Sequence, residues 1–215
     1  MRVIIFDTET NGLIPKDKNI VTENLDKMPY IVQLSFILFD TNSMRIVVEH
    51  DFIIQVPENI EISDESAKIH GISKQISRVN GVSIQDALSN FQICLNKADV
   101  VIAHNITFDI DMIAIESLRN QMDVRKDFIR KINYCTMKRT VNLCKIVAVN
   151  KKDVAYYKYP TLTQLHEYLF DETPLGTHNS MADVYICLRC YYKIKFDGDL
   201  CENIAFKKKF YKICK

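Results

Sequence analysis

Three short apolar runs rich in β-branched residues fall within the first 56 positions, at residues 2–7, 31–39 and 45–56. Runs of this length and makeup read as strands. The second and third are separated only by Asp40-Thr41-Asn42-Ser43, a turn-like tetrad. Three strands this close in sequence predict an antiparallel meander. Between the first and second, Thr10-Asn11-Gly12 signals a turn, and residues 15–29 form a polar, charged insertion that reads as a loop.

Beyond this point the pattern alternates. Ser63 followed by Asp64 and Glu65 looks like an N-cap with first-turn acids, opening a short helix that ends at Gly71. Residues 83–97 carry Ile84, Ala87, Leu88, Phe91 and Leu95 at helical period. Residues 99–103 read as a buried strand, 108–118 as a helix and 133–137 as a short fifth strand. Helices over 162–169 and 182–195 follow, and residues 200–213 fit one more amphipathic helix. The order βββαβαβαα predicts an α/β domain with a mixed sheet. With 215 residues and 47% apolar content the chain suits one domain with a sizeable core, residues 1–196, joined by a basic tail, 197–215, as part of the same unit.

No run approaches the eighteen or so apolar residues of a membrane span, and the first apolar run reaches an acid too soon for a signal peptide. The expectation is a soluble, intracellular protein, or one enclosed in an intracellular particle, without membrane contact. Seven scattered cysteines fit free thiols in a reducing compartment better than a disulfide framework. Cys187 and Cys190 form a CxxC with no second ligand pair, and read as small apolar side chains on one helix face. Net charge is only +1, but residues 124–153 hold nine Lys or Arg against two Asp, and Lys207, Lys208, Lys209 and Lys212 cluster near the end. Runs like these are ordinarily solvated surface unless nucleic-acid chemistry is found elsewhere.

That chemistry is suggested by five residues. Asp7 and Glu9 stand two apart, at and just past the end of the first strand, so both carboxylates can project to one side. Asp109 opens a helix just after the fourth strand. Asp183 begins the late apolar helix, five residues after His178. Hard divalent cations take oxygen ligands, and Mg²⁺ uses one or two carboxylates together with waters and phosphates. Acids from three segments could seat two ions, a pair suited to phosphodiester cleavage, with a histidine to take the proton of the attacking water. Each feature alone has an everyday reading: D-x-E arises by chance, and Asp at a helix start is commonly a cap. Their joint order carries the inference.

Phe6-Asp7-Thr8-Glu9-Thr10-Asn11-Gly12-Leu13, Ile31-Val32-Gln33-Leu34, His70-Gly71-Ile72, Ala103-His104-Asn105-Ile106-Thr107-Phe108-Asp109, Tyr134-Cys135-Thr136-Met137 and His178-Asn179-Ser180-Met181-Ala182-Asp183-Val184 occur in one order along the chain. As a set they resemble the DEDDh branch of the DnaQ-like 3′–5′ exonucleases, over residues 2 to 195. The sister DEDDy branch would place Tyr at position 179, where this chain has Asn179. The resemblance implies an RNase H-like fold, a central mixed five-stranded sheet flanked by helices. It implies that Asp7, Glu9 and Asp183 bind one cation and that Asp7 and Asp109 serve a second, with Mg²⁺ as the ion and Mn²⁺ able to substitute. His178 is then the general base. Thr10 and Leu13 match positions that touch the 3′-terminal nucleotide, Ile72 and Asn105 positions near the substrate, and Phe108 one by the terminal sugar or base, although Leu13, Ile72 and Phe108 read equally well as core packing.

The implied substrate is nucleic acid with a free 3′ end, single-stranded by preference, with DNA favoured for a proofreading or repair role. Other readings are an exoribonuclease, a polymerase's proofreading subunit with its partner on a separate chain, and a non-catalytic binding module. Among the remaining histidines, His70 is expected to end its helix and His104 to support a strand end, with His50 and His166 ordinary surface or helix residues. Two segments depart from the family pattern. Residues 14–29 insert beside the expected substrate entry. Residues 138–160 set Tyr156, Tyr157 and Tyr159 beside Lys151, Lys152 and Lys158, which suits guidance of a single strand toward the metals.

Overall fold

The computed structural model describes residues 1–16, 20 and 22–214. β1 (Arg2–Thr10) pairs antiparallel with β2 (Ile31–Asp40), which pairs antiparallel with β3 (Arg45–Ile53). Three helices follow, α1 (Asp64–His70), α2 (Lys74–Asn80) and α3 (Ile84–Lys97), each opened by a serine N-cap: Ser63, Ser73 and Ser83. β4 (Val100–Ala103) adds parallel to β1, and after α4 (Ile106–Arg119) and α5 (Arg125–Ile129), β5 (Ile132–Cys135) adds parallel to β4. The sheet order is β3-β2-β1-β4-β5, a mixed sheet as the element order predicts and five-stranded as the resemblance implies. α6 (Thr136–Arg139) and α7 (Val141–Cys144) lead into a separate two-stranded ribbon, β6 (Val147–Val149) and β7 (Ala155–Tyr157). The chain then closes with α8 (Leu162–Phe170), α9 (Ser180–Phe196) and α10 (Ile204–Ile213).

Strand alternation divides the core in two. Ile4 and Phe6 of β1, with Leu34, Phe36 and Leu38 of β2, pack against α3, α4 and α5. Val3 and Ile5, with Ile37 and Phe39, pack against α8, α9 and α10 on the opposite face. A third cluster joins Val32, Val56, Ile62 and Ile72 at the β2–β3 side. α9 is buried along most of its length, which explains why its sequence is apolar almost all round.

Several expectations need correcting. β1 runs on to Thr10, so Glu9 lies within the strand rather than past it. The fifth strand stops at Cys135, and Thr136 and Met137 already belong to α6; the Cys135 sulfur accepts the Lys138 N–H at 3.5 Å and so caps that turn. α2 and α5 are too short for a helical period to reveal them. The insertion read as a loop contains a 3₁₀ helix, Thr22–Lys27, while residues 17–19 and 21 lie outside the described residues. Its end is held by Arg119, whose guanidinium donates to the carbonyls of Leu25 and Pro29 and stacks 3.6 Å from the Tyr30 ring centre.

His166 sits on a helix but is fully buried, not a surface residue. Its Nδ1 donates to the Glu172 carbonyl at 2.7 Å and its Nε2 accepts from Arg189 at 3.0 Å. Arg189, itself 4% exposed, also ion-pairs with Glu172 and Asp199, which locks α8 to α9. Cys187 and Cys190 are buried and all seven thiols are free, in keeping with small apolar packing groups. No helix among the described residues is long and apolar enough to cross a membrane.

Candidate active site

The two phases of β1 make the site. Val3 and Ile5 point toward α9, and Asp7 and Glu9 continue that phase past the apolar core, so their carboxylates emerge where α9 begins. The intervening Thr8 points the other way, toward α4. A single strand end thus supplies carboxylates to one helix and a hydroxyl to another.

α4 is preceded by Asn105 at its N-cap position, which takes a left-handed conformation (φ 71°) that asparagine tolerates better than most residues. Asp109 lies in the first turn and is 2% exposed. One of its oxygens accepts both the Thr8 N–H at 3.0 Å and the Thr8 hydroxyl at 2.9 Å. α9 is fastened on the other side: the Ser180 hydroxyl donates to the Asp7 carbonyl at 2.7 Å, and the Ser180 N–H donates to Gln33 Oε1 at 3.2 Å. Asn179 caps the helix through Ala182 N–H. Asp183, in the first turn, accepts the His178 N–H at 3.3 Å through Oδ2. His178 itself is exposed, with φ 68°.

Asp7, Glu9 and Asp183 can each present an oxygen within 4.8 Å of the others. Burial pushes the Asp7 carboxyl well above the ordinary range, and Asp109, Asp183 and Glu9 raise it further. Burial, then Asp183 and Asp109, raise Glu9 to about 8. Asp109 rises to about 7 through burial, against the two Thr8 hydrogen bonds that favour its charged form. Asp183 also rises to about 7, again through burial, and its Oδ1 is buried with no hydrogen-bond partner. Carboxylates crowded in this way, one with an unpaired oxygen aimed inward, fit a hard divalent cation: all the donors are oxygens, and a cation would relieve the repulsion that raises them. The Asp7–Glu9–Asp183 set therefore fits a metal site by its chemistry.

Other predicted residues fall around this centre. Thr10 ends β1, where the register with β2 shifts, and its hydroxyl donates to the Gly12 carbonyl at 2.6 Å. Leu13 is 83% exposed on the following turn. Asn105 is exposed at the start of α4, and Phe108 is half-buried one turn on, packed against the main cluster. Ile72 lies inside the Val32–Val56–Ile62 cluster, 4% exposed. His104 supports the strand end as expected: its Nε2 donates to the Pro160 carbonyl at 3.1 Å, its Nδ1 meets the Thr136 hydroxyl at 2.9 Å, and burial lowers it to about 4. His70 closes α1, its Nδ1 accepting the Ile72 N–H at 3.1 Å.

Three supporting residues had no role assigned from sequence: Thr8, Gln33 and Ser180. A readable signal existed for Gln33, because Gln33 and Ser35 interrupt an otherwise apolar strand at spacing two, in register with Glu9 and Asp7.

An exonuclease family model, RNase_T, matches residues 4–191. The chain belongs to this exonuclease family. Like other DnaQ-like exonucleases, it has the RNase H-like fold. E. coli exonuclease I in complex with a dT13 oligonucleotide superposes with a TM-score of 0.67 at 16% identity, over 89% of this chain and 41% of that one. The same enzyme in complex with dA16 gives 0.63 at 15% identity, over 98% and 43%. A product-bound exonuclease I gives 0.67 at 15%, over 98% and 46%. This exonuclease-family chain therefore spans less than half the length of the structures it matches. No curated protein matches it.

Proposed function

We propose that this exonuclease-family chain is a metal-dependent 3′–5′ exonuclease that releases nucleoside 5′-monophosphates from single-stranded DNA. The observation that carries the reading is the meeting of Asp7, Glu9 and Asp183 from two distant segments, with Asp109 held beside them by Thr8. Asp7, Glu9 and Asp183 would hold one divalent cation, and Asp7 with Asp109 a second, Mg²⁺ or Mn²⁺. When bound, such a pair supplies charge to the attacking and leaving oxygens and makes water more acidic.

The protein's own groups do the rest. His178, exposed on the loop before α9, takes the proton of the attacking water at its imidazole. The water oxygen bonds to the terminal phosphorus, the bond to the 3′ oxygen of the preceding nucleotide breaks, and that oxygen takes a proton from solvent, giving a nucleoside 5′-monophosphate and a strand with a new 3′-hydroxyl. Leu13 and Phe108 offer apolar contact to the last base or sugar, with Thr10 and Asn105 beside them. Ile72, being buried, acts by backing the surface near the substrate. The exonuclease domain is residues 1–196, and the tail, 197–215, belongs to the same folded unit because α10 packs on α9. Support for DNA comes from relatives described in complex with dT13 and dA16. A role in proofreading beside a separate polymerase, or in repair, follows from that substrate, and free thiols suit an intracellular setting.

Side-by-side digestion of 3′-labelled single-stranded DNA, duplex DNA and RNA, with Mg²⁺ and with EDTA, tests the reading. Mononucleotide release from single-stranded DNA that EDTA stops is expected. Faster loss of RNA would assign the site to an exoribonuclease, and no turnover of any substrate would leave a binding module.

A further inference from the structure

Between α7 and α8 the chain forms a ribbon with no counterpart in the chemistry above. Val147 pairs with Tyr157, Ala148 with Tyr156, and Val149 with Ala155. Alternation puts Val147, Val149 and Tyr157 on one face and Tyr156 on the other. A ribbon lying on the domain would hide one of these sets. Neither is hidden: Val147 is 64% exposed, Val149 60%, and Tyr156 and Tyr157 48% each, while Tyr159 just beyond is 55% exposed. Contiguous apolar surface of this kind marks an interaction site, and a lone two-stranded hairpin is marginal in water without a partner.

The charge on the ribbon says which partner. Lys145, Lys151 and Lys152 are exposed and Lys158 is half-buried, with Asp153 the one acid between residues 145 and 160. Protein-binding surfaces are depleted in lysine at their centre. Tyrosines interleaved with lysines match a strand whose bases stack and whose phosphates need cations. The ribbon's root is also tied to the acidic site. Pro160, next to Tyr159, accepts a hydrogen bond from His104, which immediately precedes the Asn105 cap of the helix carrying Asp109. On the same side, Lys138 Nζ reaches the Thr107 hydroxyl at 3.0 Å in the first turn of α4.

We infer that the β6–β7 ribbon is a binding arm for single-stranded nucleic acid, holding the segment 5′ of the terminal nucleotide. The direction of the strand rests on the exonuclease reading; the arm's grip on single strands does not. The arm acts on the affinity and length dependence of binding rather than on the chemical step.

Fluorescence anisotropy in EDTA, with labelled oligothymidylates of about 4 and about 20 nucleotides, measures the grip without hydrolysis. A Tyr156→Ala, Tyr157→Ala, Tyr159→Ala variant is expected to bind the longer strand roughly tenfold or more weakly. It should still turn over the p-nitrophenyl ester of thymidine 5′-monophosphate, with Mg²⁺ restored, at the wild-type rate. The Phe counterparts should keep both properties. A Lys151→Ala, Lys152→Ala, Lys158→Ala variant should lower the slope of log affinity against log salt by about 2, at roughly 0.7 for each phosphate that no longer meets a lysine. Unchanged affinity and salt slope in both variants would overturn the arm, as would an equal loss on the long strand and the small ester. Should the wild type bind single strands through the ribbon yet degrade nothing, the arm stands and the exonuclease reading alone fails.

Discussion

Thr8 gives both of its donors, the backbone N–H at 3.0 Å and the hydroxyl at 2.9 Å, to a single oxygen of Asp109. The two residues stand 101 positions apart, and the pair ties the strand that carries Asp7 and Glu9 to the helix that carries Asp109. Both donors favour the charged carboxylate, the form a cation needs. Thr8→Val keeps the shape and the backbone bond but removes the hydroxyl. The concentration of Mg²⁺ or Mn²⁺ that gives half-maximal nuclease activity should rise about 10-fold, the usual scale for a partner behind a metal ligand. A metal titration of wild type and variant checks it, and coincident curves would deny the hydroxyl this role.

Asp7→Asn and Asp183→Asn should each cut nuclease activity by a factor of about 100 or more while making the metal-free protein more stable. The carboxylates proposed to hold cations would repel one another in their absence. Relief of about 1 kcal/mol corresponds to a rise of roughly 2–4 °C in melting temperature for a domain of this size. Differential scanning calorimetry in EDTA reads the second effect, and a lower melting temperature in both variants would contradict the crowding.

For the metal-free protein, stability should fall as pH rises. Glu9 is raised to about 8 and Asp109 and Asp183 to about 7, against roughly 4 in an unfolded chain. Between those limits the folded state holds more protons than the unfolded one, so raising the pH costs stability until the folded values are passed. Melting temperature should drop from pH 5 to pH 8 in EDTA, and saturating Mg²⁺ should narrow the difference by binding the ionised acids. A melting temperature that climbs over this range without metal would reverse the sign and refute the cluster's charge state.

His178→Ala should lower the turnover number by about 10²- to 10⁴-fold and leave the melting temperature within about 1 °C, because the side chain is exposed. Metal affinity should be unaltered, since the bond that His178 gives Asp183 comes from its backbone N–H. Isothermal titration with Mn²⁺ alongside steady-state kinetics separates the two effects.

Arg189 contributes to stability and not to chemistry. Its side chain bonds His166, Glu172 and Asp199 and lies 4.0 Å from the Phe170 ring centre. Arg189→Met should destabilise the fold by about 3 kcal/mol, since the partners are left without their cation. Urea denaturation checks the magnitude, and specific activity at 25 °C, measured on the folded fraction, should stay near wild type.

By itself the sequence determined the strand order, the mixed sheet and the acids. Those are written in local periods: apolar runs at spacing two, helical stripes at 3.6, and Asp7 and Glu9 continuing the inward phase of Val3 and Ile5. Ser63 and Gly71 bracketed a helix for the same local reason, and the motif order named Asp109, His178 and Asp183. Tertiary structure alone decided what supports them. Ser180 meets the Asp7 carbonyl across 173 positions, and Gln33 meets Ser180 across 147, which no local period encodes. His166 belongs to no motif and read as an ordinary surface or helix residue; only the arrival of Arg189 and Phe210 makes it a buried hydrogen-bonded one. The segment 138–160 was readable as basic and aromatic, but not as a ribbon exposed on both faces. That depends on which side chains the rest of the fold leaves uncovered, and burial is a property of the whole packed chain rather than of any segment in it.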